Sequence, residues 1–460
     1  MKTYCLKNGI NVLFVNKTTS ELVLIGFVCK TGYVDEFKNF PNGISTMIER
    51  LFLKGTHKSP STKKIWEAIE GIGGRWYSET ETETTSYYLL VPQENQFKAI
   101  SLLAEIIQKS YFETKDIDET KDEIIEEIKN VRKSVNVNFG LENLYTCFAY
   151  SQKKLGSIDQ IMTIDQSVIL EYLSKQYRPN NCFIVVSGNY QQKLINDLIE
   201  QEWSYWLPTV RKQEEVYFDL EVCKNDLPKI PFLQSIKSDT DVNINFLNDE
   251  GLIPKELLHE EKIADNTLKE NKDVEDKNIQ VQLWDNYVER YAIYLMINEL
   301  LIGGNTGKLY NKGILDEKIL NYVQSEYLTF TKSALFSTYF NVDNQNFNQS
   351  LEVVMQIFGD LRNSIITTNE LNRIKEMTKM TLLVIKSDLL ALTILYCKNY
   401  ILAGHQFEIN DVITKINYIE SSQIRSFCLD IFVVKNMSIS IIGTSKEVKL
   451  IEKIINKYLG

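Results

Sequence analysis

The chain has 460 residues, of which 44% are hydrophobic and 24% are charged. This composition is typical of folded globular proteins, and the chain is too long for one hydrophobic core of ordinary size. The formal net charge of -10 argues against a nucleic-acid partner, because binding to phosphates needs clustered Lys and Arg. We therefore expect at least two folded domains and no nucleic-acid binding.

Two further features bear on the compartment. The seven cysteines are scattered and never occur in C-x-x-C spacing, a pattern typical of buried thiols in a reducing environment. No stretch of the sequence contains the about 18 successive apolar residues that indicate a transmembrane helix. The sequence thus predicts a cytoplasmic protein with no membrane partner.

The spacing of apolar residues predicts the elements of the first half of the chain. Helical spacing occurs over residues 43–56, 64–72, 94–110, 116–132 and 161–177. From residue 75 to residue 90 the pattern changes to period two, with Trp76, Ser78 and Thr80 on one face. This segment is therefore expected to be a strand or a hairpin.

A weak internal duplication predicts two similar halves. Residues 181–188 read N-C-F-I-V-V-S-G and residues 436–443 read N-M-S-I-S-I-I-G, and an amphipathic segment follows each. This repetition predicts one domain over residues 1–205 and another over 278–460. Residues 206–277, which are richer in charge, are expected to form a linker with an exposed charged insertion.

The most informative segment is residues 43–56, which read G-I-S-T-M-I-E-R-L-F-L-K-G-T. It resembles the inverzincin helix of the family of pitrilysin, insulin-degrading enzyme and mitochondrial processing peptidase, where H-x-x-E-H lies between a Gly and an F-x-K-G-T ending. Here Thr46 and Arg50 replace the two His, and only Glu49 remains. The resemblance identifies the chain as a degenerate, processing-peptidase-like member of that family.

The substitutions remove the chemistry of the motif. Two imidazoles four residues apart lie on one face of a helix and can share a zinc ion, whereas Thr is a poor ligand and an Arg guanidinium repels a dication. The only histidines are His57, His259 and His405, and no pair has ligand spacing. We therefore expect no metal or other cofactor in this chain, and an inactive, vestigial Glu49.

The resemblance also implies positions for two further acids on the segment 116–129. Glu126 falls at the position of the family's third zinc ligand, with a shift to Glu127 left open, and Glu119 falls two turns earlier at that of a second acid. An Arg beside Glu49 and Glu126 is expected to form a salt bridge in place of the metal. The alternative is a surface Arg on an amphipathic helix.

In the second half, such proteins contribute an Arg and a Tyr that hold the substrate carbonyl. Tyr322 matches that Tyr, whereas the Arg falls at Ile314 or Leu315, and neither side chain can donate a charged hydrogen bond. Tyr322 is therefore either a vestigial substrate contact or an ordinary packed tyrosine.

The segment 73–90 resembles the family's edge strand, to which substrate peptides add through main-chain hydrogen bonds. Tyr77 replaces the family's Asn, and Glu79, Glu81 and Glu83 would form an acidic row suited to Lys- or Arg-rich peptides. The alternative is a strand face that only keeps the protein soluble.

The resemblance implies an α+β fold: two homologous α/β domains, each a mostly antiparallel sheet flanked by helices, closing a clam-like chamber on pairing. The function it favours is the non-catalytic subunit of a heterodimeric zinc metallopeptidase, whose homologous partner carries H-x-x-E-H and the zinc. The substrate would be a peptide or precursor, with peptide natural product maturation as one setting. The alternatives are a peptide-binding or scaffold protein without a proteolytic complex and, ranked last, an independently active metallopeptidase.

Overall fold

A computed structural model describes residues 2–36, 39–131, 153–206, 232–234, 239–248, 273–331, 333–403, 408–444 and 447–460. Internal contacts divide the chain into two compact units. Unit 1 comprises Met1–Ser134, Cys147–Glu221 and Ser387–Cys397, and unit 2 comprises Val135–Thr146, Val222–Lys386 and Lys398–Gly460. Unit 1 thus takes in Ser387–Cys397, which the sequence placed in the C-terminal domain.

Unit 1 is built on a six-stranded sheet with the order β1-β2-β6-β3-β5-β4. Its strands are β1 (Lys2–Cys5), β2 (Asn11–Asn16), β3 (Leu22–Cys29), β4 (Arg75–Thr80), β5 (Thr85–Pro92) and β6 (Cys182–Gly188). Only β2 and β6 run parallel; the other neighbours are antiparallel. The segment predicted as a strand or a hairpin is a hairpin, and its first strand, β4, lies at the edge of the sheet.

The helices of unit 1 follow the predicted periodicity, with two differences. They are α1 (Ile44–Leu51), α2 (Thr62–Gly71), α3 (Gln96–Lys109), α4 (Thr114–Val131), α5 (Ile158–Thr163), α6 (Gln166–Gln176) and α7 (Gln192–Trp203). Helix α1 ends before residue 56, and the segment 161–177 spans parts of two helices rather than one. The break arises because Asp165 caps α6 by accepting from the Val168 N–H, which starts a new helix.

Helix α1 is held against the sheet by its apolar face. Ile44, Met47, Ile48 and Leu51 are fully buried, which is the i, i+3, i+4, i+7 spacing of an amphipathic helix. Nearby, Phe27 of β3 stacks on Trp203 with a ring separation of 5.3 Å. This packing positions the remaining α1 residues, including Glu49 and Arg50, toward α4 and β4.

Unit 2 contains a five-stranded sheet with the order β7-β11-β8-β10-β9. Its strands are β7 (Phe232–Gln234), β8 (Asp239–Asn248), β9 (Tyr322–Thr329), β10 (Ala334–Asp343) and β11 (Met437–Gly443). Only β7 and β11 are parallel. The order repeats β2-β6-β3-β5-β4 of unit 1, and β6 and β11 are each followed by a helix, so the predicted duplication and α+β fold class are confirmed.

The predicted linker 206–277 is wrong in part, because β7, β8 and the start of the next helix lie inside it. Strand β8 escaped notice because Asp and Asn alternate with its apolar residues Val242, Ile244 and Phe246. Those polar side chains are buried as well, and Asn243 accepts a hydrogen bond from Ser337. This polar sequence forms a central strand partly because the Ser337 and Tyr339 hydroxyls of β10 pair with Asn243 and Asp241.

The helices of unit 2 complete its core. They are α8 (Asp273–Ile302), α9 (Phe347–Asn363), α10 (Thr368–Ser387), α11 (Leu389–Ala403), α12 (Ile409–Tyr418), α13 (Ser421–Ile431) and α14 (Val448–Leu459); the first half of α11 belongs to unit 1.

Among the described residues, no single helix is long and apolar enough to cross a membrane; α10 and α11 reach that length and composition only when joined across a 103° bend.

Candidate functional site

The N-terminus of the motif helix is fixed by a buried carboxylate. Gly43 lies in the left-handed region at φ 94° and caps α1. The Glu36 carboxylate accepts hydrogen bonds from the N–H groups of Gly43, at 2.7 Å, and Ser45, at 2.8 Å. A carboxylate at this place satisfies N–H groups that no helical carbonyl can reach. Burial nevertheless raises the pKa of Glu36 to about 8, against the opposing effect of these bonds.

We expect the stability of unit 1 to fall with rising pH because of Glu36. A carboxyl group whose folded pKa lies above its unfolded value stabilises the fold fully below about pH 4.5, and this contribution is lost as the pH rises through about 8. The slope approaches about 1.4 kcal/mol per pH unit for one proton. Denaturant unfolding at several pH values from 5 to 8 should therefore show a steeper decline for wild type than for Glu36→Gln. Glu67→Gln, at an exposed position, should keep the wild-type slope, and equal slopes for all three proteins would contradict this assignment.

Thr46, at the first vacated histidine position, is 1% exposed. Its hydroxyl donates a hydrogen bond of 2.8 Å to the carbonyl oxygen of Lys154. The backbone around Lys154 lies close to the helix start, since a Cβ atom on Gly43 would lie 2.6 Å from the Leu155 carbonyl oxygen. The hydroxyl therefore ties the segment before α5 to the motif helix and is already used as a donor.

Glu49, the surviving residue of the motif, is held by strand β4. Its Oε1 accepts from the Ser78 hydroxyl at 2.9 Å and its Oε2 accepts from the Thr80 hydroxyl at 2.7 Å. Both carboxylate oxygens are thus engaged in charge-assisted hydrogen bonds, which are stronger than bonds between neutral groups. The expected salt bridge of Glu49 with Arg50 does not form; the acid binds hydroxyl groups instead.

Arg50, at the second vacated position, pairs with Glu127 rather than Glu126. Its Nη2 lies 2.5 Å from the Glu127 Oε2, and the two side chains are 29% and 44% exposed. Glu126 lies on the outer face of α4 at 66% exposure, with the Lys129 ammonium 2.6 Å from its Oε1. The salt bridge thus forms one residue after Glu126, at the position that the sequence left as the alternative. In the turn that follows α1, Lys54 pairs with Glu123 at 2.9 Å, which continues the contact with α4.

The same one-residue shift corrects the assignment of Glu119. Glu119 is exposed and lies 3.7 Å from the ammonium of Lys115 on the same helix. The residue two turns before Glu127 is Thr120, which is fully buried and donates to the Asp116 carbonyl. No acid therefore occupies the second position on the inner face of α4, because seven residues return a helix to nearly the same side.

The donor set at the motif does not fit zinc. The Thr46 hydroxyl is bonded to a carbonyl, Arg50 is a fixed cation, and the Glu49 oxygens are taken by Ser78 and Thr80. Zinc prefers thiolate, imidazole and free carboxylate ligands. Among the residues that the structure describes, no group of three or more His, Cys, Asp or Glu side chains is arranged to hold a metal ion.

The expected acidic row is only partly on a strand. Glu79 lies on β4, is exposed, and has the Lys154 ammonium 4.0 Å from its Oε1. Glu81 and Glu83 lie in the turn between β4 and β5, where the Glu81 N–H bonds to the Thr84 carbonyl at 2.7 Å. The prediction of a continuous row along one strand face is thus wrong, because the chain reverses after Thr80.

Tyr77 lies on β4 opposite Tyr88 of β5 and is partly exposed. Its side chain projects to the same side of the strand as Glu79, away from the Ser78 and Thr80 hydroxyls that bind Glu49. The structure thus separates two faces of β4, one that fixes α1 and one that carries Tyr77 and Glu79.

In unit 2, Tyr322 begins β9 and is 49% exposed. Its hydroxyl donates to the Gln324 side chain at 2.9 Å, and its ring lies 5.8 Å from that of Tyr339. Ile314 and Leu315 lie in a π-helical segment, Tyr310–Asp316, and Leu315 is exposed. Tyr322 is therefore not an ordinary core tyrosine.

Sequence reasoning missed three residues that engage the motif positions, Ser78, Thr80 and Lys154, and gave Glu127 only as the alternative to Glu126. The period-two pattern placed Ser78 and Thr80 together with Trp76 on one face, which was a signal for the contact with α1. Nothing in the sequence pointed to Lys154, whose contribution is a main-chain carbonyl that any residue type could supply.

Comparisons with known proteins agree with this architecture. The family description "Insulinase (Peptidase family M16)" matches residues 11–158, and "Peptidase M16 inactive domain" matches residues 269–378. An uncharacterized zinc protease of Bacillus subtilis, YmxG, is 22% identical over 94% of this chain and 96% of its own length. The mitochondrial-processing peptidase subunit beta of Dictyostelium discoideum is 28% identical over 44% of each chain.

A solved structure extends the likeness to the whole fold. The crystal structure of a protease from Helicobacter pylori superposes with a TM-score of 0.80 at 15% identity, covering 96% of this chain and 99% of that one. The matched regions include α1 in the first half and the whole β9–β10 hairpin in the second. The chain belongs to the M16, or insulinase, family of peptidases.

Proposed function

We propose that this chain is the non-catalytic subunit of a heterodimeric zinc metallopeptidase and helps to bind a peptide or precursor substrate. The observation that carries the proposal is the state of the motif helix. All three motif positions are engaged by protein groups: Thr46 by the Lys154 carbonyl, Glu49 by Ser78 and Thr80, and Arg50 by Glu127.

The replacement of metal ligands by a salt bridge supports a structural role for the motif helix. An Arg that pairs with Glu127 neutralises a carboxylate that would otherwise lie beside Glu123 on the same face of α4. The pair thus stabilises the contact between α1 and α4 without a metal ion. In this proposal, zinc and water activation belong to a homologous partner with an intact H-x-x-E-H motif.

The position of β4 at the edge of the sheet, as far as the structure describes the chain, supports peptide binding. An edge strand presents unpaired main-chain groups to which an extended peptide can add as a further strand. Tyr77 and Glu79 lie on this strand, and the acidic turn residues Glu81 and Glu83 follow it. With a net charge of -10 on the whole chain, peptides that contain Lys or Arg are favoured by electrostatic complementarity.

Membership of the M16 family supports the proposal that this chain pairs with a homologous subunit. One relative is itself named as a subunit, the mitochondrial-processing peptidase subunit beta of Dictyostelium discoideum. We place the complex in the cytoplasm, because scattered cysteines such as the buried, unbridged Cys29 and Cys182 are typical of reducing compartments. Tyr322 would face substrate as a vestigial contact from unit 2, in keeping with its exposed side chain.

The test is reconstitution with a homologue from the same genome that carries an intact H-x-x-E-H motif, and a genome without such a gene would contradict the proposal. We expect the purified chain alone to contain no stoichiometric zinc and to cleave no peptide, and the mixture to cleave. Changing the partner's motif Glu to Gln should reduce the rate by about 10²- to 10⁴-fold, since that group activates water. Glu49→Gln in this chain should cost no more than about tenfold, because it keeps one of two hydrogen bonds.

Two outcomes would overturn the proposal. The first is peptidase activity of the single chain that Glu49→Gln abolishes. The second is a folded chain that binds peptide but neither associates with the homologue nor changes its activity, which would instead establish a peptide-binding or scaffold protein. Metal analysis of each purified protein accompanies both measurements.

A further inference from the structure

The geometry around Glu49 suggests a use for an acid that no longer activates water. Ser78 and Thr80, whose hydroxyls bind its two oxygens, are both on β4. Thr80 is fully buried and Glu49 is partly buried. The carboxylate therefore joins the motif helix to two alternate residues of the edge strand.

The register of the hairpin shows which main-chain groups of β4 face outward. Thr80 is opposite Thr85, and the Glu81 N–H bonds to the carbonyl of Thr84. In an antiparallel ladder, hydrogen-bonded and non-hydrogen-bonded pairs alternate. The main-chain groups of Tyr77 and Glu79 therefore bond to β5, whereas those of Trp76, Ser78 and Thr80 point away from β5. Trp76 and Ser78 are partly exposed, and Thr80 is fully buried.

Ser78, which binds Glu49, is thus also a residue that offers main-chain groups to an added strand, and the buried Thr80 anchors the strand beside it. Their side chains project from one face of the sheet while their N–H and C=O groups lie in its plane. An edge strand has a neighbour on one side only, so a second attachment reduces its freedom to move away from the sheet. A preformed edge binds a peptide more tightly because less ordering is needed on binding.

We propose that Glu49 is a positioning residue, which fixes β4 through Ser78 and Thr80 so that the outer edge of the strand can receive an extended peptide. The inference rests on the proposed function, since it assumes that β4 binds peptide. The inference gives Glu49 a structural role in place of the water activation that the motif Glu performs beside a zinc ion.

Two measurements test this role. The first is the affinity for a fluorescein-labelled, unstructured peptide of about 12 residues containing Lys and Arg, a length that spans an edge strand. The second is hydrogen exchange of the Tyr77 and Glu79 amides, which bond to β5 and report on the attachment of β4. We expect Glu49→Ala to weaken peptide affinity by about tenfold or more and to speed exchange of both amides to a similar degree.

Further variants show whether the effect passes through the hydroxyls. Ser78→Ala with Thr80→Val removes both donors and keeps the size of the buried Thr80 side chain. This double variant should reproduce the loss, and adding Glu49→Ala to it should weaken binding no further, because coupled changes are not additive. Glu49→Gln should lie between wild type and Glu49→Ala and provides a milder change if Glu49→Ala does not fold. Glu70→Ala, at an exposed position on α2, is the matched control and should behave as wild type.

The outcomes separate the two proposals. If wild type binds no such peptide, the proposed function is wrong in its peptide-binding part, and the exchange rates still decide whether Glu49 fixes β4. If wild type binds and both Glu49→Ala and Glu49→Gln leave affinity and exchange unchanged, the positioning role is wrong while the proposed function stands. Full additivity of the acid and hydroxyl substitutions would also overturn the inference.

Discussion

Replacing Thr46 and Arg50 together by histidine is expected to give a chain that binds about one zinc ion, with Glu127 as the third protein ligand. The two positions lie one turn apart on α1, and the side chain at position 50 already reaches the Glu127 carboxylate, since Arg50 contacts it at 2.5 Å. Side chains four residues apart are neighbours on a helix surface. The frame for a metal site is thus retained although its imidazoles are absent.

Metal analysis and thermal unfolding measure this result. We expect the double variant to bind zinc with a dissociation constant at or below about 1 μM, and a zinc excess of about 100-fold over that value to stabilise it by about 2.7 kcal/mol. Wild type should show neither effect. A triple variant that also carries Glu127→Gln should bind zinc much more weakly, whereas adding Glu126→Gln to the double variant should have little effect.

The Glu126→Gln variant is the decisive control, because it distinguishes the position deduced from sequence from the one seen in the structure. If zinc binding depends on Glu126 and not on Glu127, the arrangement of α1 and α4 described above is wrong. If the folded double variant binds no zinc at all, the helix no longer presents positions 46 and 50 to a common point.

Gly156→Ala is expected to destabilise unit 1 by about 2 to 5 kcal/mol. Gly156 has a φ of 68°, and a Cβ atom there would overlap the Asn42 carbonyl group. A left-handed backbone costs about 1 to 2 kcal/mol for a residue with a side chain, and overpacking against backbone adds about 1 to 3 kcal/mol. Backbone cannot turn aside as a flexible side chain can, so the segment carrying Lys154 must move away from α1.

Denaturant unfolding of wild type and Gly156→Ala measures the difference in the free energy of unfolding. Hydrogen exchange of the backbone amides of α1 reports whether the contact between Thr46 and Lys154 is lost. Gly71→Ala is the matched control: Gly71 ends α2, has no left-handed φ, and a Cβ atom there meets nothing within 4 Å. That substitution should be neutral or slightly stabilising, because Ala favours helix over Gly by about 1 kcal/mol. Equal stability of Gly156→Ala and wild type would show that the segment does not pack on α1 as described.

Part of the candidate site was predictable from the sequence, and part was not. The motif helix was predicted from local spacing, and the loss of both histidines and the edge position of β4 from the resemblance to the family. The pairing of Arg50 was predicted with the wrong acid, since Glu126 and Glu127 are adjacent and only the rotation of α4 against α1 decides which one faces inward. The acidic row was predicted to be too long, because period-two spacing does not show that the strand ends at Thr80, before Glu81 and Glu83.

From the sequence alone follow the family, the duplicated α+β architecture and the absence of imidazole at the two motif positions. The family and the α+β architecture follow from the resemblance carried by residues 43–56, the duplication from the repeated strand segments, and the missing imidazoles from the identity of single residues. Only the tertiary structure decided that β8 is a central strand within the charged region, that Glu49 binds the hydroxyls of Ser78 and Thr80, and that Lys154 bonds to Thr46. The reason is physical: hydrogen bonds between residues distant in the chain depend on how helices and strands are placed in space, and local sequence does not determine that placement.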